Sequence, residues 1–295
     1  MTDWYKQREQ GAGTVRLEVL WIVYKIFGVR ILKFVVWFIS LFIWMFARDA
    51  RTASKKFRAR LNKYEKSHKM QASKFSSFAH IRQFAYSLVD KMVAFCDTGK
   101  KINISIDKNS DWAKFKSLID HKHGAFLICS HLGNIDALNA IPNRGKMIMH
   151  AFMRTGQNAI FRRFLDRHNI NLNTVFHLTD DIDISVAGEI YDAITRGELA
   201  MMAGDRVSAN NPGRNISVEF LGKKSKLPIG VFKFAHSMEC PVFAIFLLNT
   251  THENYTLYIR QIDAKDTQTM VHEYISMLQE LTLKYPRQWF NFYDF

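Results

Sequence analysis

Gly124-Ala-Phe-Leu-Ile-Cys-Ser-His131-Leu-Gly-Asn-Ile-Asp136 is the stretch from which the rest of the chain is best read. Its first half, Ala125 to Cys129, is a short continuous apolar run of the kind that forms a strand buried on both faces. Its second half places an imidazole, His131, and a carboxylate, Asp136, just beyond that strand's carboxyl end, where open α/β sheets carry their chemistry.

Outward from this stretch the pattern alternates. Strand-like runs occur at Lys146 to Phe152, Asn173 to Phe176, Leu199 to Ala203 and Pro241 to Leu248. Helix-like segments lie between them, at Asn134 to Ala140, Ala159 to His168, Ile184 to Thr195 and Ile229 to Met238. Such alternation predicts an α/β fold with a mostly parallel central sheet flanked by helices. Tyr255 to Ile262 is expected as an antiparallel edge strand, and Thr267 to Leu283 as a closing amphipathic helix. Upstream, Phe78, Ile81, Phe84, Ala85, Leu88, Met92 and Phe95 form a helical stripe that Gly99 stops. Ile102, Ile104 and Ile106 alternate as in a strand, and Asp111 to Asp120 reads as a short helix.

The N-terminal region is of another kind. Val15 to Phe27 is an apolar helical segment with a break at Gly28, and Ile31 to Ala47 is interrupted only by Lys33 and Ser40. About 17 residues is the lower end of what crosses a hydrocarbon core. Trp37 and Trp44 are rings suited to a membrane interface, and Arg48, Arg51, Lys55, Lys56, Arg58 and Arg60 follow as a basic collar. Asp3 and Glu9, and the lack of a small-residue cleavage pattern, argue against a cleaved signal peptide. Two buried core helices or a membrane anchor remain, and the flanks favour an anchor on the cytoplasmic leaflet. The organisation expected is residues 1–60 as a membrane-associating helical region and residues 61–295 as one catalytic domain.

Composition bounds the function. Hydrophobic residues make up 48% of 295 positions, enough for a large core, which excludes a disordered chain. A net charge of +14 calls for an anionic partner, and 24 Phe lean towards lipid or a long apolar ligand. No nucleic-acid-binding module is recognisable, so nucleic acid is not expected as a partner. Cys96, Cys129 and Cys240 are odd in number and far apart, as in a reduced cytoplasmic domain.

On a regular helix His131 and Asp136 would stand about 140° apart, so they can meet only if His131 precedes the helix. Gly133 and Asn134 permit the required turn. The pair then resembles the base half of a catalytic triad, with the carboxylate on one ring nitrogen and the other free to take a proton. Arg154 follows the next strand, and Asp205 and Arg206 follow Leu199 to Ala203, so polar groups gather at successive strand ends. Backbone N–H groups at Gly133 and Asn134 are candidate oxyanion donors. Arg154 and Arg206 are candidates for binding phosphate. Lys223, Lys224 and Lys226 fall in an expected loop. Cys129, beside His131, is an alternative nucleophile, but neighbouring residues leaving a strand point oppositely. His121 and His123 lack an acidic ligand at suitable spacing, and no metal is expected.

Ser130-His-Leu-Gly-Asn-Ile-Asp136 resembles the HX4(D/E) motif of the lysophospholipid acyltransferase superfamily, in particular its lipid A secondary (lauroyl/myristoyl) acyltransferase branch. The N-terminal apolar region through Arg51-Thr-Ala-Ser54, the stretch Phe220-Leu-Gly-Lys-Lys-Ser-Lys-Leu-Pro-Ile-Gly230 and the ending Tyr285-Pro-Arg-Gln-Trp-Phe-Asn-Phe-Tyr-Asp-Phe295 are similar to that branch. The ending is also similar to variants associated with aryl polyene lipids. The resemblance implies an enzyme of the bacterial inner membrane, without cofactor, moving a fatty acyl group from acyl carrier protein or coenzyme A to a lipid hydroxyl. It implies His131 as general base and Asp136 as its orienting carboxylate; the pattern of the residues themselves adds Gly133, Asn134, Arg154, Asp205 and Arg206 near the substrates. Two departures stand out. Asp205-Arg206 occupies the place of that branch's Asp-Gln, and the Phe-Pro-Glu-Gly signature of glycerol-phosphate acyltransferases is missing, which disfavours a simple glycerol-phosphate acceptor. The rival readings are a catalytically silent membrane scaffold of this fold and a basic nucleic-acid-binding protein.

Overall fold

The computed structural model describes residues 14–96, 102–140, 147–153, 163–168, 170, 173–179, 182–207, 213–251, 253–293 and 295. Three helices come first: α1 (Thr14–Phe46), α2 (Arg48–Ser67) and α3 (Ser77–Cys96). Then follow β1 (Asn103–Ile106), α4 (Trp112–Asp120), β2 (Ala125–Cys129), a 3-10 helix (Ile135–Ala140), β3 (Met149–Met153), β4 (Thr174–Leu178), α5 (Ile184–Thr195), β5 (Leu199–Ala203), the hairpin β6 (Asn215–Phe220) and β7 (Lys223–Pro228), α6 (Ile229–Ser237), β8 (Val242–Thr251), β9 (Asn254–Ile262) and α7 (Thr267–Lys284).

Seven strands form one sheet in the order β1-β9-β8-β2-β5-β3-β4. From β8 through β4 they run parallel, while β9 is antiparallel to β8 and β1 pairs parallel to β9. The expected α/β class and mostly parallel sheet are therefore observed. β2 sits in the middle, and all five of its residues are buried. Phe126 and Ile128 join a core with α2, α5, α6, α7 and the hairpin. Ala125, Leu127 and Cys129 join a second core under α3 and α4. Period-two alternation inside an unbroken apolar run is what burial on both faces requires.

Two expectations are corrected. β9 is not an edge strand, because β1 pairs along its outer side from Asn103↔Asn254 to Ile106↔Leu257. The segment expected as a loop around Lys223, Lys224 and Lys226 is a strand of a two-residue hairpin. Leu221 and Gly222 turn it with φ of 48° and 68°, both in the left-handed region that such hairpins need. Its lysines are exposed while Ser225 and Leu227 are buried. Three arginines of the basic collar are engaged by the fold. Arg51 donates to the carbonyls of Trp44 and Met45, Arg58 to that of Phe75, and Arg60 to those of Phe220 and Phe295 and to Ser225 Oγ.

α1 breaks at Gly28 (φ 76°, ψ 178°), as the sequence indicates. One side of it packs Tyr24, Leu32 and Val36 against Val89, Met92 and Val93 of α3. The other side exposes a row of apolar side chains that includes Ile26, Phe34, Phe38 and Phe42.

α3 also holds the C-terminal tail. His80 is fully buried, with Nε2 2.7 Å from the Trp289 carbonyl and Nδ1 3.0 Å from Ser54 Oγ. A carbonyl can only accept, so Nε2 carries the proton and Nδ1 accepts from the serine. Burial lowers the His80 pKa to about 4, the Trp289 carbonyl offsetting part of that effect. Between the ordinary value near 6.5 and about 4 the unfolded chain binds a proton that the folded chain does not. This contribution is complete above the upper value and is lost as pH falls towards the lower one, at a cost of roughly 3 kcal/mol. Urea unfolding of the wild type should therefore weaken more steeply from pH 7 to pH 4 than that of His80→Gln. Equal pH slopes would refute the assignment.

Candidate active site

Parallel pairing of β2 with β5 runs in register from Ala125↔Leu199 to Cys129↔Ala203. Continued by two residues, that register sets His131 beside Asp205. His131 Nδ1 lies 2.9 Å from Asp205 Oδ1, and its backbone N–H donates to Oδ2 at 3.0 Å. One carboxylate thus fixes both the ring and the main chain that carries it. With Nδ1–H donating to this carboxylate, Nε2 is the ring's basic atom. The histidine side chain is 36% exposed and the aspartate 0%.

Asp205 is braced further by Asn291, whose Nδ2 donates to Oδ2 at 2.7 Å. Burial by itself would raise this carboxyl, but the facing His131, the hydrogen bonds and the nearby Arg206 outweigh it and hold the group down to about 2. It is a fixed anion at any physiological pH.

The carboxylate set against His131 Nδ1 is consequently Asp205. Asp136, in the first turn of the 3-10 helix, meets Lys91 of α3 at 2.8 Å. The physical reason lies in the turn. Gly133 adopts φ 80°, and a Cβ there would stand 2.3 Å from the Leu247 carbonyl oxygen, so only glycine fits. The backbone then turns towards β8 and α3. Gly133 N–H donates to the Gln288 carbonyl at 3.0 Å and Asn134 N–H to that of Leu247 at 2.8 Å. Both amides expected as oxyanion donors are spent on holding the turn. Asn134 is buried and its Nδ2 donates to the Ser87 carbonyl, again on α3.

Arg206 is half-buried. Its Nε donates to Asn291 Oδ1 at 2.7 Å and its Nη2 to the Phe290 carbonyl at 3.2 Å. The guanidinium expected to bind phosphate secures the C-terminal tail. Asp205, expected near a substrate, is inaccessible behind His131. Arg154 lies outside the described residues. Cys129 is buried, and burial together with the Asp205 and Asp136 charges pushes its thiol far up, so it supplies no thiolate. His121 and His123 are exposed, as expected.

Residues 288–293 form a wall that the sequence did not assign to the site. Leu132 bridges to Trp289, Phe290 N–H donates to the His131 carbonyl at 3.0 Å, and Tyr293 Oη donates to the Asp205 carbonyl at 3.4 Å. The high aromatic content of this tail was the available signal. What it lacked was any indication that the tail folds back across β2. From the other side α3 presents Ser87 and Lys91 to the turn, and its Asp90 joins Lys33 of α1 to Tyr255 of β9 at 2.7 Å each.

The assembled group is a histidine oriented by a buried carboxylate, half open to solvent, in a sheet that carries a long apolar helix on its flank. Such a group can take a proton from a hydroxyl and return it. Comparison with curated proteins gives no match. A family described as bacterial lipid A biosynthesis acyltransferases matches residues 19–294, nearly the whole of the described fold from α1 to the tail that closes the site, and the chain belongs to that family.

Proposed function

We propose that the protein transfers a fatty acyl group from an acyl thioester, on acyl carrier protein or coenzyme A, to a hydroxyl of a lipid A-like or aryl polyene-type glycolipid. The observation that carries this reading is the His131 Nδ1–Asp205 contact at 2.9 Å. His131 Nε2 takes the acceptor's hydroxyl proton as its oxygen attacks the thioester carbonyl. The C–S bond then breaks, and the departing thiolate receives the proton from Nε2. Asp205 orients the ring and stabilises imidazolium during that interval. Asp136, through Lys91, positions the turn that bears His131.

Purified enzyme assayed with an acyl thioester and lipid acceptor should lose about three orders of magnitude in kcat on His131→Ala. Asp205→Asn should lose a comparable factor, whereas Asp136→Asn should stay within about tenfold. If Asp136→Asn fell as far as Asp205→Asn, with its pH profile displaced, Asp136 would be the orienting carboxylate after all. Full turnover by His131→Ala would refute His131 as the general base, and no turnover by the wild type would favour the silent scaffold.

We further infer that α1 lies along the cytoplasmic face of the inner membrane without crossing it. Residues 17–46 are apolar and long enough to span. Yet Glu18 meets Arg167 and His168, Lys33 meets Asp90 and Trp44 meets Ser77, all within one globular body. A helix crossing some 30 Å of hydrocarbon would carry one end away from those partners. The exposed row that includes Phe34, Phe38 and Phe42 suits burial among acyl chains, and exposed Lys55 and Lys56 suit an anionic headgroup layer better than nucleic acid. In inverted inner-membrane vesicles, reporters fused at Met1 and at Phe295 should both react without detergent. A reporter at Met1 protected until detergent is added would establish a spanning helix.

A further inference from the structure

On the far side of the sheet from α3, β3 and β4 bring two buried histidines together. His150 Nδ1 lies 2.9 Å from His177 Nε2, and the rings stack with centroids 5.1 Å apart at 21°. The second nitrogen of His150, Nε2, lies 2.7 Å from the Glu198 carboxylate, which Arg196 braces at 2.9 Å. A carboxylate can only accept here, so the His150 proton sits on Nε2 and the Nδ1 lone pair faces His177. Glu189 of α5 offers a third group, and its oxygen and the two ring nitrogens lie within 4.8 Å of one another.

We propose that His150, His177 and Glu189 form a binding site for one divalent transition-metal ion of the zinc class. Two imidazoles and a carboxylate are the donor set such ions take, with solvent as fourth ligand. Zn–N bonds of about 2.0–2.1 Å at tetrahedral angles separate two ligand nitrogens by about 3.3 Å. The pair at 2.9 Å therefore needs to open by only a few tenths of an ångström. Glu189, on the exposed surface of α5, closes the larger gap by side-chain rotation. Glu198 already holds the outer-shell place: a carboxylate on the remote nitrogen fixes the tautomer and raises the basicity of the coordinating one.

The site is separate from the proposed catalytic group. His150 pairs with Ala200, and Ala200 with Phe126, five positions before His131 and two strands away. An ion there would pin β4, the sheet's edge strand, to α5. No spacing motif announces it, because its ligands come from three separate elements.

Full-length protein in detergent, stripped with a chelator and dialysed, provides the test. Titration with Zn²⁺ should saturate at one equivalent and raise Tm by about 5 °C at a hundredfold excess over Kd. Co²⁺ should give the visible absorption of a tetrahedral site. His177→Gln should abolish both responses. Glu189→Gln, an exposed change that leaves the core intact, should weaken Zn²⁺ binding about tenfold and serves if the histidine variant does not fold. No rise in Tm with Zn²⁺, or equal binding by Glu189→Gln, would overturn the proposal.

Discussion

The buried charge of Asp205 is the constraint around which the other contacts are arranged. A fully enclosed carboxylate is tolerable only when each oxygen has partners and an opposing charge stands close. Here Oδ1 takes the His131 ring, Oδ2 takes the His131 amide and Asn291, and Arg206 contributes charge from behind. Satisfying that one group requires β2 beside β5 in a fixed register, a tail threaded back over the strand ends, and a guanidinium to hold the tail. Gly204, between β5 and Asp205, belongs to the same requirement. A Cβ there would meet Ile128 Cγ2 at 2.7 Å and press the two strand ends apart.

α3 has the corresponding role on the other side. One surface of this helix receives α1 through Val89, Met92 and Val93, while Ser87 and Lys91 receive the turn that carries His131. His80, near its amino end, receives the tail. Of the three residues that receive α1, only Met92 belongs to the apolar stripe visible in the sequence; Val89 and Val93 lie beside it, and Leu88 of the stripe is exposed. The polar positions interleaved with the stripe account for the other two contacts, which makes α3 the element that relates the long apolar helix α1 to the His131–Asp205 pair.

Much of the architecture was legible from composition and period alone. β2, β5 and β8 are short apolar runs bounded by turn residues, and the break at Gly28 needs only the residue type. The His131 partner was not legible, although Asp205 itself had been noticed. Three strands, β3, β4 and β5, lie with their connections between His131 and Asp205 in sequence, so nothing local says that β2 and β5 are neighbours. Once they are, equal offsets of two residues past each strand end make the contact unavoidable. The amides of Gly133 and Asn134 misled for a similar reason. Turn residues near a site advertise free N–H groups, but β8 and Gln288, more than a hundred positions away, had already engaged them. The hairpin at Leu221-Gly222 was missed because Leu is an unusual residue for φ > 0, and no Asn-Gly or Asp-Gly marked it.

The tail has a consequence for how the protein matures. His131 and Asp205 are 74 positions apart, and Asn291 lies another 86 beyond Asp205. A chain emerging from the ribosome can form α1, and even pair β2 with β5, long before residues 288–293 exist. During that interval His131 has its carboxylate but neither the brace on that carboxylate nor the wall beside it. Contacts of such long sequence separation form late and open early. Formation of the long apolar helix and completion of the His131–Asp205–Asn291 group are therefore separated in time by the chain's own topology, with the helix formed first.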